Sequence, residues 1–143
     1  MQQHRYPEMM IAPMRADLAR LGVEELRTPE DVDAFLAGAG DGTALLIVNS
    51  ICGCAAGSMR PGLEGALPRV RPDRMGSVFA GADLDATARA RELFEPYPPS
   101  SPCIGVFSGG ALVTMIERGH LKGTPPEQVT ELVVQALEAA APA

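Results

Sequence analysis

Thiols and imidazoles are scarce in this chain, whose 143 residues include three cysteines, two histidines and no tryptophan. An odd, small set of cysteines cannot build a disulfide framework in a compartment that keeps thiols reduced. Structural zinc needs four ligands, and Cys52, Cys54, Cys103, His4 and His120 show no recognisable ligand spacing. Basic residues are also few. Twelve Lys and Arg against 18 Asp and Glu give a formal charge of -6, and no basic cluster is present to face phosphates, so nucleic acid is not an expected partner. Charged residues interrupt Met1 to Leu21 throughout, so neither a secretory signal nor a membrane span is expected, and the expected location is cytoplasmic. Repeats and low-complexity tracts are lacking, and the length suits a single domain, residues 1–143, that buries its own core.

What the chain does contain is concentrated in Ile47-Val48-Asn49-Ser50-Ile51-Cys52-Gly53-Cys54-Ala55-Ala56-Gly57. An apolar run ends in two cysteines and resumes with small residues, the pattern of a buried strand delivering thiols to the start of a helix. Backbone N–H groups at a helix N-terminus favour anions, so a thiolate placed there has a lowered pKa and becomes a usable nucleophile. Cys52 is the expected nucleophile. Cys54 either resolves a mixed disulfide or stands by in a monothiol cycle. A disulfide between residues two apart in a tight turn is strained, which suits exchange better than strong reduction, and Gly53 eases the turn. Two plainer accounts stand beside this one: small apolar cysteines filling space where strand meets helix, or soft thiolates holding Zn or Cu(I).

Around this stretch the chain alternates helical and extended segments. Met10, Met14, Leu18 and Leu21 recur at helical spacing, Glu24 to Arg27 is a short polar strand, and Thr28-Pro29 opens a helix bearing Val32, Phe35 and Leu36. Thr43 to Val48 is too short and too apolar for a surface helix and reads as the central strand, buried on both faces. A helix follows Cys54, with Pro61 inside it bending the axis. Gly76 to Ala80 is extended, Leu84 to Phe94 helical behind Asp83 and Asp85, and Pro96 to Pro102 a proline-rich loop. Ile104 to Ser108 and Ala111 to Ile116 form an antiparallel hairpin across Gly109-Gly110, and a helix from Thr124-Pro125-Pro126-Glu127 runs through Ala140. The order resembles a thioredoxin-like α/β fold, a mixed central sheet with helices on both faces and the cysteine turn at the carboxyl end of the central strand.

In such a sheet the proline that starts the penultimate strand faces the cysteine turn in the cis form, so cis is expected at Ser101-Pro102. Gly53, Ser101, Pro102 and Cys103 then make the expected substrate surface around the thiols. Cys103 is expected near the pair, as a third redox participant or as a buried first residue of its strand. His120 is a loop residue or a proton shuttle, and Arg60 a solvated charge or an attractor of anionic thiols. Met9, Met10 and Met14 read as core residues, and Gly38 to Gly42, which precedes a strand, as a flexible turn rather than a phosphate loop.

These residues resemble the bacilliredoxins, thioredoxin-like proteins with a Cys-Gly-Cys site. The resemblance spans nearly the whole chain, in Pro13-Met14-Arg15, Val48 to Gly57, Arg60-Pro61, Val78-Phe79-Ala80-Gly81, Pro99-Ser100-Ser101-Pro102 and Glu117-Arg118-Gly119-His120. It implies removal of bacillithiol from client proteins that carry it as a mixed disulfide, with Cys52 as nucleophile and no bound cofactor. Bacillithiol serves as a low-molecular-weight thiol co-substrate, cleared from Cys52 by Cys54 or by a second thiol molecule. The family is also associated with weak disulfide isomerase or reductase activity, and Cys103 stands where serine is expected. General isomerisation of client disulfides, and a non-catalytic metal- or partner-binding module built on the Cys-Gly-Cys, are the alternatives.

Overall fold

The computed structural model describes residues 5–142. Its twelve-residue first helix α1 (Glu8–Ala19) buries Ile11, Arg15 and Leu18, one stripe at helical spacing. Met9 and Met10 therefore point outward, 90% and 45% exposed, and only Met14 packs against buried neighbours, which corrects the expectation that all three are core residues. The strand β1 (Glu24–Glu25) is short and polar because it lies at the sheet edge. The helix α2 (Pro29–Gly38) begins with a complete capping box: Thr28 accepts from the Asp31 N–H while Asp31 reaches back to the Thr28 N–H. Such a cap is worth about 1 kcal/mol.

The strand β2 (Thr43–Asn49) is buried at every position and lies at the centre of a five-stranded sheet. It pairs in parallel with β3 (Arg74–Phe79) and antiparallel with β4 (Cys103–Ser108). The order is β1-β3-β2-β4-β5, where β5 (Ala111–Ile116) returns from β4 through Gly109 and Gly110, both at positive φ as a tight hairpin turn requires. Four of the five strands are thus assembled around one that is apolar on both faces, as its composition demands.

Residue parity splits the core in two. Leu45 and Ile47 of β2, with Ile104 and Val106 of β4, face a layer made by α3 (Arg60–Ala66) and α6 (Pro126–Ala140). Leu46 and Val48, with Cys103 and Phe107, face the layer of α2 and α4 (Leu84–Leu93). The close approach of α3 to α6 requires Gly62, where a Cβ would fall 2.3 Å from Val129 Cγ1, and Thr130 Oγ1 donates to the Gly62 carbonyl at 2.8 Å.

The helix after the cysteines is not the single bent α-helix that Pro61 implied. A π-helical segment, Ala55–Met59, passes directly into α3, so the wide turn comes before the proline. Pro61 then follows as the second residue of α3. One short helix, α5 (Arg118–Leu121), occupies what reads in sequence as loop. Among the described residues no helix is long and apolar enough to cross a membrane.

Candidate active site

The strand β2 ends in Asn49, and the two residues after it build the turn that presents the thiols. Asn49 is buried, with its Nδ2 donating to the Met14 carbonyl of α1 at 3.2 Å and its Oδ1 accepting from the Ser50 N–H at 3.0 Å. Ser50 Oγ in turn accepts from the Cys52 N–H at 3.0 Å. Beneath this turn lies Arg60, 7% exposed, which donates through one amino nitrogen to Asn49 Oδ1 at 2.9 Å and the Ser50 carbonyl at 3.2 Å. Its Nε stands 3.4 Å from Asp17 Oδ2 without the alignment of a hydrogen bond. Arg60 is neither solvated nor open to an anionic substrate, the two roles its sequence position offered. It is a buried tie between α3, α1 and the turn, and burial lowers its pKa against the opposing pull of Asp17.

Cys52 occupies the position just before the helix, with Gly53 and Cys54 already helical. Its sulfur accepts from the Cys54 N–H at 3.4 Å, as a side chain does when it caps a helix. All three cysteines are free thiols, Cys52 and Cys54 half-buried and Cys103 buried. The Cys54 backbone N–H and the Cys54 thiol lower Cys52 from the ordinary 9.0 to about 7, with Arg118 adding to the effect. The same pairing raises Cys54, because a thiolate at Cys52 takes its hydrogen bond and repels a second negative charge. One thiol is thus ready at neutral pH and the other is held protonated beside it.

The Ser101-Pro102 bond is cis, as expected for this sheet, and Glu95-Pro96, which the sequence did not single out, is cis as well. Val48 pairs with Cys103, so Pro102 lies at the carboxyl end of β2, where the cysteine turn begins. Ser101 is half-buried and Pro102 buried. Cys103 is 1% exposed and faces the α2 and α4 layer, on the side of the sheet opposite the α3 and α6 layer. Of its two expected roles, the structure shows the buried first residue of a strand. Burial raises its pKa to about 11.

Sequence reasoning gave no role to two residues that the fold brings here. Ile104 pairs with Ile116, so the hairpin returns the chain after β5 to the same end of the sheet. There Glu117 and His120 close a capping box on α5, with His120 Nδ1 accepting from the Glu117 N–H at 2.9 Å. The imidazole is thereby used in the fold. Arg118, between them, anchors its own N–H on Ser100 Oγ at 3.4 Å and extends its guanidinium to 3.8 Å from the Cys52 sulfur. The signal that was legible is the Glu117-x-x-His120 spacing directly after an apolar strand. Among the described residues no group of three or more Cys, His, Asp and Glu is placed to hold a metal, and His4 lies outside them.

This geometry predicts a pH profile. Thiolate is the reacting form, so alkylation of Cys52 by iodoacetamide should rise with pH and reach half its maximum near 7, below the ordinary thiol value of 9.0. Cys103 should stay unmodified throughout in the folded protein and react on unfolding. Peptide mass mapping across a pH series checks both, and a Cys52 midpoint near 9.0 would remove the basis for its activation.

Comparison with known proteins bears on the family and the fold. A protein family described as disulphide isomerase matches residues 6–141. A bacilliredoxin of Cytophaga hutchinsonii is 48% identical over 125 residues, covering 87% of this chain and 91% of that protein. One from Symbiobacterium thermophilum is 50% identical over 127 residues, 89% of this chain and 90% of its own length. Among solved structures, Fasciola hepatica thioredoxin superposes with a TM-score of 0.62 at 11% identity, over 82% of this chain and 99% of that one. Spinach chloroplast thioredoxin f gives 0.60 at 17%, over 82% and 92%. At such identities these structures speak to the fold, which is α/β and thioredoxin-like.

Proposed function

The chain belongs to the bacilliredoxin family and is a thiol-disulfide oxidoreductase, and from that premise we propose that it removes bacillithiol from mixed disulfides on client proteins. The observation that carries the mechanism is the Cys52 sulfur, half-exposed at a helix start and held by the Cys54 N–H.

In the first step the Cys52 thiolate attacks the bacillithiol sulfur of the mixed disulfide. That S–S bond breaks, its electron pair leaves on the client sulfur, which takes up a proton, and a new S–S bond joins Cys52 to bacillithiol. The pairing of the two thiols sets the timing of the second step. Once the Cys52 sulfur is neutral, the negative charge that held Cys54 protonated is gone, so Cys54 becomes easier to ionise only when it is needed. Cys54 then attacks the Cys52 sulfur, bacillithiol leaves as a thiolate, and a Cys52–Cys54 disulfide remains for two further thiols to reduce. Alternatively a second bacillithiol attacks the adduct directly, giving bacillithiol disulfide and restoring Cys52.

Gly53, Ser101 and the backbone beside Pro102 form the surface that receives the client in this scheme, bacillithiol acts as co-substrate without a bound cofactor, and the setting is cytoplasmic. Intact mass after mixing reduced protein with a bacillithiolated client tests the proposal: the client should lose the adduct while this chain gains it or becomes a disulfide. An intact client adduct together with repair of a scrambled disulfide-bonded protein would replace the proposal with general isomerisation. Stoichiometric metal on the purified protein with no transfer at all would replace it with a binding module.

A further inference from the structure

Seven of the chain's eleven arginines are paired with acids, and Arg71 and Arg91 donate to the Leu21 and Ser100 carbonyls at 2.6 and 2.9 Å. Arg15, Arg20, Arg27, Arg60, Arg69, Arg74 and Arg89 each lie within ion-pair distance of a carboxylate. Arg118 is exposed, and among the described residues its guanidinium has no carboxylate within that distance, although the chain carries 18 acidic residues. Its side-chain partner is the Cys52 sulfur, at 3.8 Å. The carboxylate best placed by sequence to neutralise it, Glu117, is occupied in the capping box with His120. The backbone below the side chain is pinned by that box and by Ser100, so the cation is held at the mouth of the site.

We propose that Arg118 selects the charge of the small thiol that Cys52 accepts, by receiving a carboxylate of that thiol beside the new disulfide. Before attack, the guanidinium faces the Cys52 thiolate. On attack the negative charge leaves on the client sulfur, Cys52 becomes neutral in the new S–S bond, and Arg118 loses its anion. A carboxylate of the incoming thiol that reaches the guanidinium restores it, and the planar fork of a guanidinium matches a carboxylate in two parallel hydrogen bonds. An anionic low-molecular-weight thiol is thereby favoured over a neutral one, and a cationic one is disfavoured. The proposal rests on Cys52 being the sulfur that keeps the small thiol.

Three pyridyl disulfides test it, carrying 3-mercaptopropionate, 2-mercaptoethanol or cysteamine as the transferred group. Each reacts with a thiolate by the same step: the small thiol passes to Cys52 and 2-thiopyridone leaves, so the leaving group is constant and only the charge retained varies. Rates are divided by those measured with free 2-mercaptoethanol as the nucleophile, which removes the intrinsic reactivity of each probe. The wild type should prefer the anionic probe to the neutral one by about fivefold, the size an exposed ion pair supports, and the preference should shrink in high salt.

Arg118→Gln should bring the ratio to about one, while Arg118→Lys should recover part of it. A common slowing of all three probes in Arg118→Gln, with the ratio unchanged, would reduce Arg118 to a tuner of Cys52 ionisation and overturn charge selection. A wild-type ratio of one would do the same. If the probes instead react with Cys52→Ser as fast as with wild type, Cys52 is not the acceptor, and the premise fails rather than the selection.

Discussion

Replacing Arg15 by leucine is expected to lower the free energy of unfolding by about 3–5 kcal/mol, the cost of leaving a buried charge without its partner. Arg15 and Asp83 are 7% and 8% exposed and are joined by two hydrogen bonds of 2.8 Å. Glu8 completes the arginine's partners from elsewhere on α1, at 2.8 Å, and the guanidinium lies over the Phe79 ring at 5.3 Å from its centroid. Asp83 also accepts from the Phe79 N–H at 3.0 Å, so it ties α1 to the end of β3 and to the start of α4. Burial on its own would lower the arginine pKa, but Asp83 and Glu8 together hold it above the ordinary value. In Arg15→Leu the Asp83 carboxylate stays buried with only a backbone donor.

Urea unfolding followed by circular dichroism measures the loss. Arg20→Leu, which removes an exposed pair with Asp17, serves as the control and should change stability by no more than about 1 kcal/mol. An Arg15→Leu loss as small as the control's would mean that water or a shifted side chain compensates Asp83. Because Asn49 of the site bonds to the Met14 carbonyl next door on α1, this variant should also disorder the cysteine turn.

Separating the two active-site thiols gives the second large effect. Cys52→Ser should reduce transfer from a bacillithiolated client to the uncatalysed background, because Cys54 and Cys103 are both raised in pKa and Cys103 is buried as well. Cys54→Ser should still take up bacillithiol in the first step and should then hold it, since the sulfur that would displace it is missing. Intact mass should show one adduct per chain in Cys54→Ser and none in Cys52→Ser, and added low-molecular-weight thiol should clear the adduct. Cys103→Ser should behave as wild type in both steps. An adduct on Cys52→Ser would reassign the nucleophile, and wild-type turnover by Cys54→Ser would establish a monothiol cycle with the second thiol molecule as the resolving partner.

Much of the architecture is written in local residue pattern. The apolar Thr43–Asn49 run could be satisfied only by burial on both faces, which makes it central in any sheet this chain forms. The Thr28-Pro29-x-Asp31 spacing marks a helix start through its own backbone bonds, and Gly109-Gly110 marks a hairpin through the φ values it permits. The Cys-Gly-Cys at a strand-to-helix junction announces an activated thiol because helix termini leave N–H groups unpaired wherever they occur. Each of these depends on neighbours within a few positions.

What only the tertiary structure decided are the meetings of residues far apart in sequence. Arg60 is near Cys52 along the chain and yet is turned under the site, while Arg118, 66 positions away, reaches its sulfur. The β4–β5 register, with Ile104 opposite Ile116, sets that arrival, and no local pattern states which arginine the hairpin will carry there. The face taken by Cys103 follows from the parity of β4 only after the two helical layers have been assigned to their sides of the sheet. Arg15 and Asp83 are likewise separated by 68 positions, and nothing in the local pattern around either one names the other. Hydrogen-bonding and conformational preferences act over short range and are legible residue by residue; charge pairing across the fold is settled by sheet order and register, which belong to the whole chain.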